Sequence, residues 1–255
     1  MIVRSLFITI IVVTLSLMAS SSMAQDGNIL GLPALTSTIS ESGGATYSLS
    51  LQILVLMTVL TVVPSIVLGM TAFTRIIIVL SILRQALGTQ QTPPNQVLIA
   101  IALFITFYVM SPIFQIIYDT ALNPYLEGTV TPQVALAAAT DILKEFMVVN
   151  TREDTMNMFV EMAGEGPFED TQAIPLSIVL PSFITSELKT AFEIGFLIFL
   201  PFLVIDIVIA SILMSLGMMM LSPMLISLPF KLLLFVLVDG WAMTIASLSS
   251  TFIVR

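Results

Sequence analysis

Histidine and cysteine are absent from the 255 residues. Their absence removes thiol nucleophiles, disulfides, imidazole bases and the usual zinc, haem and copper sites. Charge is scarce too. Asp, Glu, Lys and Arg make up 9% of the chain, where a soluble domain carries about 25%. Only 8 residues are basic against 16 acidic, for a net charge of −8. No basic cluster is present, which argues against nucleic acid as a partner. There is no glycine-rich nucleotide loop and no nucleophile–base pair, so neither an enzyme nor a cofactor is expected. What the chain does have is 57% apolar residues, 16 methionines and a mean hydropathy of +1.08. This is the composition of an all-α chain that meets lipid or is buried in a larger assembly.

The first 24 residues read as an address. Arg4 gives a positive start, Leu6 to Met18 a short apolar core, and Ser22 and Ala24 the small residues that a signal peptidase prefers. A signal peptide over 1–24, cleaved after Ala24, is expected; an uncleaved first anchor is the other reading. Residues 25–48, rich in Gly, Ser and Thr, read as a flexible extracytoplasmic arm.

Four long apolar runs follow, in two pairs. The first pair occupies 49–118. Leu49 to Thr74 continues through Ile76 to Leu83, with Pro64 and Gly69 placed to bend it, and Val97 to Ile117 follows a polar turn, GTQQTPPN. The second pair occupies 181–255, with runs Phe192 to Met214 and Met224 to Leu248. Each run has the length of a membrane span. Arg75 and Arg84 lie between the first two runs with no acid nearby, and Lys231 follows the later link. Asp119 to Asp170 holds ten acids against Lys144 and Arg152. The positive-inside rule then places the short links in the cytoplasm and the acidic segment, 119–180, outside.

That acidic segment has helical signals. Thr131-Pro132 sets a cap residue before a first-turn proline. Ala135, Ala138, Ile142, Phe146 and Val149 keep helical spacing. Thr151 and Asp154 resemble a capping box, Met156, Phe159, Val160 and Ala163 form an apolar stripe, and Gly164 supplies a stop.

Asp206 sits inside the third run. A carboxylate at the centre of a bilayer costs about 2.5–3.5 kcal/mol on insertion scales, so Asp206 must face protein or water. It is either an ion- or proton-coupling group, as in a membrane transporter, or an inter-subunit polar contact. Glu187, Lys189 and Glu193 lie on one predicted helix, where Lys189 and Glu193 can pair at i, i+4. Lys231 and Asp239 are two turns apart in the fourth run. Gly217-Met-Met-Met-Leu-Ser-Pro223 is a turn bearing Met218, Met219 and Met220. Flexible thioether side chains can seal around irregular surfaces. The turn is either an apolar ring formed by several copies or a link dipping into an interface.

Four blocks carry a resemblance. They are TAFTRIIIVLSILRQALGTQQTPPNQVLIAIALFITFYVMSP from Thr71, PSFITSELKTAFEIGF from Pro181, PFLVIDIVIASILMSLGMMMLSP from Pro201 and PFKLLLFVLVDGW from Pro229. Together and in order they resemble the FliP family of flagellar biosynthesis proteins and its injectisome-type counterparts; Ser182 stands where that family would carry Ala. The resemblance implies a pore-forming core subunit of the type III protein export gate, which passes unfolded flagellar subunits. It implies helical hairpins assembled into a funnel-like homo-oligomer, a pentamer, with FliR and FliQ. The place it implies is the bacterial inner membrane and its periplasmic side, at the flagellar basal body. It assigns Met218, Met219 and Met220 to a gasket closing the pore, and makes Arg152, Glu187, Lys189, Asp206 and Lys231 candidates for subunit contacts. Such a complex would let the apolar runs meet protein as well as lipid.

Overall fold

The computed structural model describes residues 38–39, 45–46, 49–89, 92–166, 168, 171–218 and 221–253. The expected signal segment, the cleavage position Ala24 and most of the arm lie outside the described residues. The chain divides into two units, residues 1–60 and 61–255. In the first, a short antiparallel ladder joins β1 (Thr38–Ile39) to β2 (Ala45–Thr46), with Thr38 opposite Thr46. Every other regular element among the described residues is helical.

Helix α1 (Leu49–Gly69) is uncharged throughout and tolerates Pro64 inside it. It stops at Gly69, and α2 (Phe73–Ala86) begins after a three-residue break. The bend expected from Pro64 and Gly69 therefore falls at the glycine. Helix α3 (Asn95–Ile117) runs on through a π-helical turn, Tyr118–Leu122, and a short helical turn, Asn123–Leu126. Helix α4 (Pro132–Asn150) opens with Pro132 at its first position, as Thr131-Pro132 predicts, although the Thr131 side chain makes no capping bond. Helix α5 (Glu153–Ala163) ends at Gly164 in the left-handed conformation.

Three expectations are corrected. The Thr151–Asp154 capping box does not form, because the Thr151 hydroxyl donates backwards to Met147 O at 2.6 Å and Arg152 takes the cap position. The third run is also longer than its apolar core suggests. Helix α6 (Leu176–Ser215) is 40 residues long and contains Pro181 and Pro201, and at 1.5 Å per residue it extends about 60 Å. Its polar stretch does not end it, because Glu187, Lys189 and Glu193 all find partners on other segments. The fourth run, in turn, is two helices. α7 (Pro223–Leu237) and α8 (Gly240–Ser250) meet at a bend of 63°. The break falls where Asp239 adopts φ +49° and Gly240 packs so tightly on the Phe235 ring that a β-carbon there would overlap it.

The core of the second unit is built on α2 and α6. Ile76, Val79 and Leu80 of α2 pack with Val179 and Phe183 of α6, Leu98, Ala102 and Met110 of α3, Phe146 and Met147 of α4, and Leu248 of α8. Gly195 of α6 lets Ile82 approach so closely that any β-carbon would collide with its side chain. A smaller cluster unites Leu83, Leu87, Phe202 and Phe235. Among the described residues two helices, Asn95–Leu126 and α6, are long and apolar enough to cross a membrane, or up to four if each bent pair forms one span.

Candidate functional site: charged contacts and the methionine turn

A lone charge on an apolar helix has to find a counter-charge, and the fold brings most of these charges together within the chain. The deepest contact joins Arg75 on α2 to Glu187 on α6. Nε donates to Glu187 Oε2 at 2.9 Å and Nη2 to Oε1 at 2.5 Å, with the side chains 4% and 0% exposed. Nη1 donates to Thr251 O and Oγ1, and the guanidinium carbon lies 3.9 Å from the centre of the Phe252 ring. Phe252 in turn stacks on Phe146. Arg75 therefore ties α2, α6 and the segment after α8 into one fully bonded site. Among the described residues no buried side-chain nitrogen or oxygen lacks a hydrogen-bond partner.

A second contact holds the α6–α7 hairpin. Asp206 Oδ1 accepts from the Ser227 hydroxyl at 2.6 Å and Oδ2 from Lys231 Nζ at 2.6 Å. Lys231, buried, also donates to Ala86 O at the end of α2. Lys231 thus meets Asp206 of the neighbouring helix, while Asp239, on its own run, lies at the bend.

The third set is exposed and docks α5 on α6. Arg152 Nη1 donates to Glu193 at 2.7 Å, and Lys189 Nζ donates to Asp154 at 2.7 Å. Lys189 and Glu193 do not pair with each other along their helix. Each pairs across to α5, because the chain entering α5 is pinned there by Arg152 N donating to Ser186 Oγ at 3.0 Å. The hydrogen bond from Lys189 holds the Asp154 carboxyl below the usual carboxylate range, and the one to Glu193 holds the Arg152 guanidinium up.

The methionine turn begins where α6 ends. Gly217 is left-handed, at φ +70°. Its N–H donates to Met214 O and the N–H of Met218 to Leu213 O, both at 3.0 Å. This is the Schellman pattern, which needs glycine at the left-handed position. Met218 leaves it half exposed, flanked by exposed Leu216 and Leu221, and Pro223 starts α7. Met219 and Met220 lie outside the described residues. Beside this hairpin, α2, α6, α7 and α8 line a half-open apolar cavity of about 520 Å³, with Leu83, Phe202, Phe235, Val238 and Met243 among its walls.

Sequence reasoning named Arg152, Glu187, Lys189, Asp206 and Lys231 but missed their partners Arg75, Asp154 and Ser227, and Thr251, which completes the bonding of Arg75. The signal for Arg75 was present. A single Arg in one apolar run and a single Glu near another require each other, since a buried charge without a partner is strongly destabilising.

The comparisons with known proteins agree with one another. A family model described as the FliP family matches residues 56–248. The chain is 64% identical over 222 residues to the flagellar biosynthetic protein FliP of Cereibacter sphaeroides, covering 87% of this chain and 73% of that one. It is 50% identical over 221 residues to the protein of the same name from Pectobacterium carotovorum subsp. carotovorum, covering 87% and 86%. It is 50% identical over 213 residues to that of Bacillus subtilis (strain 168), covering 84% and 96%.

Proposed function

From the premise that this chain belongs to the FliP family, we propose that it is a pore-forming core subunit of the flagellar type III protein export gate. In this reading several copies, five by family resemblance, surround an axis together with FliR and FliQ. They pass unfolded flagellar subunits across the bacterial inner membrane, with the gate set toward the periplasmic side of the basal body.

The observation that supports the reading best is the α6–α7 hairpin. Two apolar helices are joined by a turn that presents Met218, and Asp206, Ser227 and Lys231 fix them at the base. A ring of such turns makes a narrow apolar constriction, and constrictions of this kind stop ions by dewetting. Met218, Met219 and Met220 would form the gasket. Unbranched thioethers repack around a passing chain of any sequence, so one gasket can serve many substrates. The competing reading, an ion-coupled transporter using Asp206, draws no support from the site. Both Asp206 oxygens already accept hydrogen bonds, from Ser227 and Lys231.

The test replaces Met218, Met219 and Met220 with Ala in the complex assembled with FliR and FliQ. The complex should keep its mass and leak ions in a bilayer conductance recording. A variant that seals as tightly as the parent removes the gasket from the proposal, and a parent that forms no complex removes the gate.

A further inference from the structure

Two charges on helices α1–α3 and α6–α8 and their elbows remain without a counter-charge after all described pairs are assigned; Asp119, on the turn that continues α3, accepts from the Gln115 amide. Asp239 sits at the elbow between α7 and α8, exposed, in the left-handed backbone conformation. Its side chain makes no capping bond to α8 and, among the described residues, takes part in no ion pair. Around it Val236, Leu237, Val238 and Met243 are exposed and apolar. This bent pair is apolar enough to form one span, so a bare carboxylate facing lipid there would be costly.

Arg84, on the last turn of α2, is the opposite case. It is half-buried, and its Nη1 donates to Pro93 O at 3.2 Å and to Asn95 Oδ1 at 2.6 Å, both uncharged acceptors. Arg75, Arg152, Lys189 and Lys231 each have a carboxylate, and Lys144 lies in the acidic segment. Arg84 is therefore the one described cation on the apolar helices without one. The two leftover charges flank the same cavity. Leu83, beside Arg84, and Val238 and Gly240, on either side of Asp239, all line it.

We propose that Asp239 of one copy accepts Arg84 of the adjacent copy across the face that carries the cavity. This deepens the gate reading and rests on it. The guanidinium keeps donors to spare beyond Nη1, and a planar fork suits a carboxylate better than any other cation. In the ring that the gate reading requires, each copy offers Arg84 to one neighbour and Asp239 to the other, a head-to-tail contact of the kind that closes. The cavity beside the pair would take apolar side chains of that neighbour.

The chain has no cysteine, which gives a clean test. One tagged copy carries Arg84→Cys and a differently tagged copy carries Asp239→Cys, co-expressed with FliR and FliQ and then oxidised. A disulfide-linked pair holding both tags is expected, and none when both copies carry Arg84→Cys. In parallel, Asp239→Arg should lower the fraction of assembled oligomer by on the order of tenfold or more, and adding Arg84→Asp in the same chain should restore it. If the oligomer forms at its parent mass but shows no mixed cross-link, the contact is overturned and the gate reading stands. If the parent chain stays monomeric with its partners present, both fail together.

Discussion

Arg75 and Glu187 show how a charge survives inside an apolar bundle. Four hydrogen bonds and an aromatic face surround the guanidinium, and Glu187 is wholly buried beneath it. Glu187→Gln leaves that cation uncompensated, and loss of one partner of a buried pair costs about 3–5 kcal/mol. The detergent-extracted variant should therefore melt well below the parent. The double variant Arg75→Met, Glu187→Leu removes both charges and should recover most of that loss. Double-mutant stability equal to the sum of the single losses would mean the two residues do not act as a pair. Gly195 offers a test of packing at the same scale. A methyl there collides with Ile82 Cδ1 and lies 3.0 Å from its Cγ2. Gly195→Ala should cost about 1–3 kcal/mol as overpacking, and Ile82→Ala should return part of it. No return would place the strain elsewhere.

At the scale of elements, local signals were legible and long-range ones were not. Gly164, Thr131-Pro132, Gly217 and Pro223 act where the sequence places them, because a helix end depends on residues a few positions away. The apolar runs were equally plain. The expected Lys189–Glu193 pair failed for a physical reason, since α5 docks along α6 and offers each residue a partner across the interface. The Asp239 break carries a local signal in the Asp239-Gly240 dipeptide, but the long apolar run around it masks that signal, and the closeness of Gly240 to Phe235 is a packing fact. The α5–α6 contact has a pH signature. Asp154 is held below the ordinary carboxylate range, chiefly by Lys189. A carboxyl depressed by folding contributes stability above its unfolded pKa and loses it as pH falls through its folded value. The thermal midpoint of the parent should thus exceed that of Asp154→Asn at neutral pH, and the gap should close in acid below about pH 4. A gap that stays constant from neutral pH into that acid range would detach Asp154 from the docking of α5.

The whole molecule has more apolar surface than one chain can cover. Phe192, Phe196, Leu197, Val204, Ile207 and Val208 of α6 are all exposed, as are Phe104, Phe107 and Tyr108 of α3. Monomeric soluble proteins rarely leave patches of this extent uncovered, so either lipid or protein must cover them. The charges on α6 bias the choice. Its polar residues are satisfied within the chain, which lets the helix lie against apolar neighbours, and Gly195 and Ala191 already show it packing closely with another helix. In hydrocarbon the force between helices comes from packing and polar contacts, because the tails are as apolar as leucine. A small polar change on a helix face that meets protein should then weaken assembly without blocking insertion. Phe196→Ser tests this, since Phe196 is exposed in the single chain and lies one residue from Gly195. The variant should stay in the membrane fraction in parent amounts while the mass of the extracted complex shifts toward smaller species. A complex of unchanged mass would assign the Phe196 face to lipid and leave assembly to the α7–α8 elbow. A variant lost from the membrane would mean that α6 needs this face to insert, before any partner meets it.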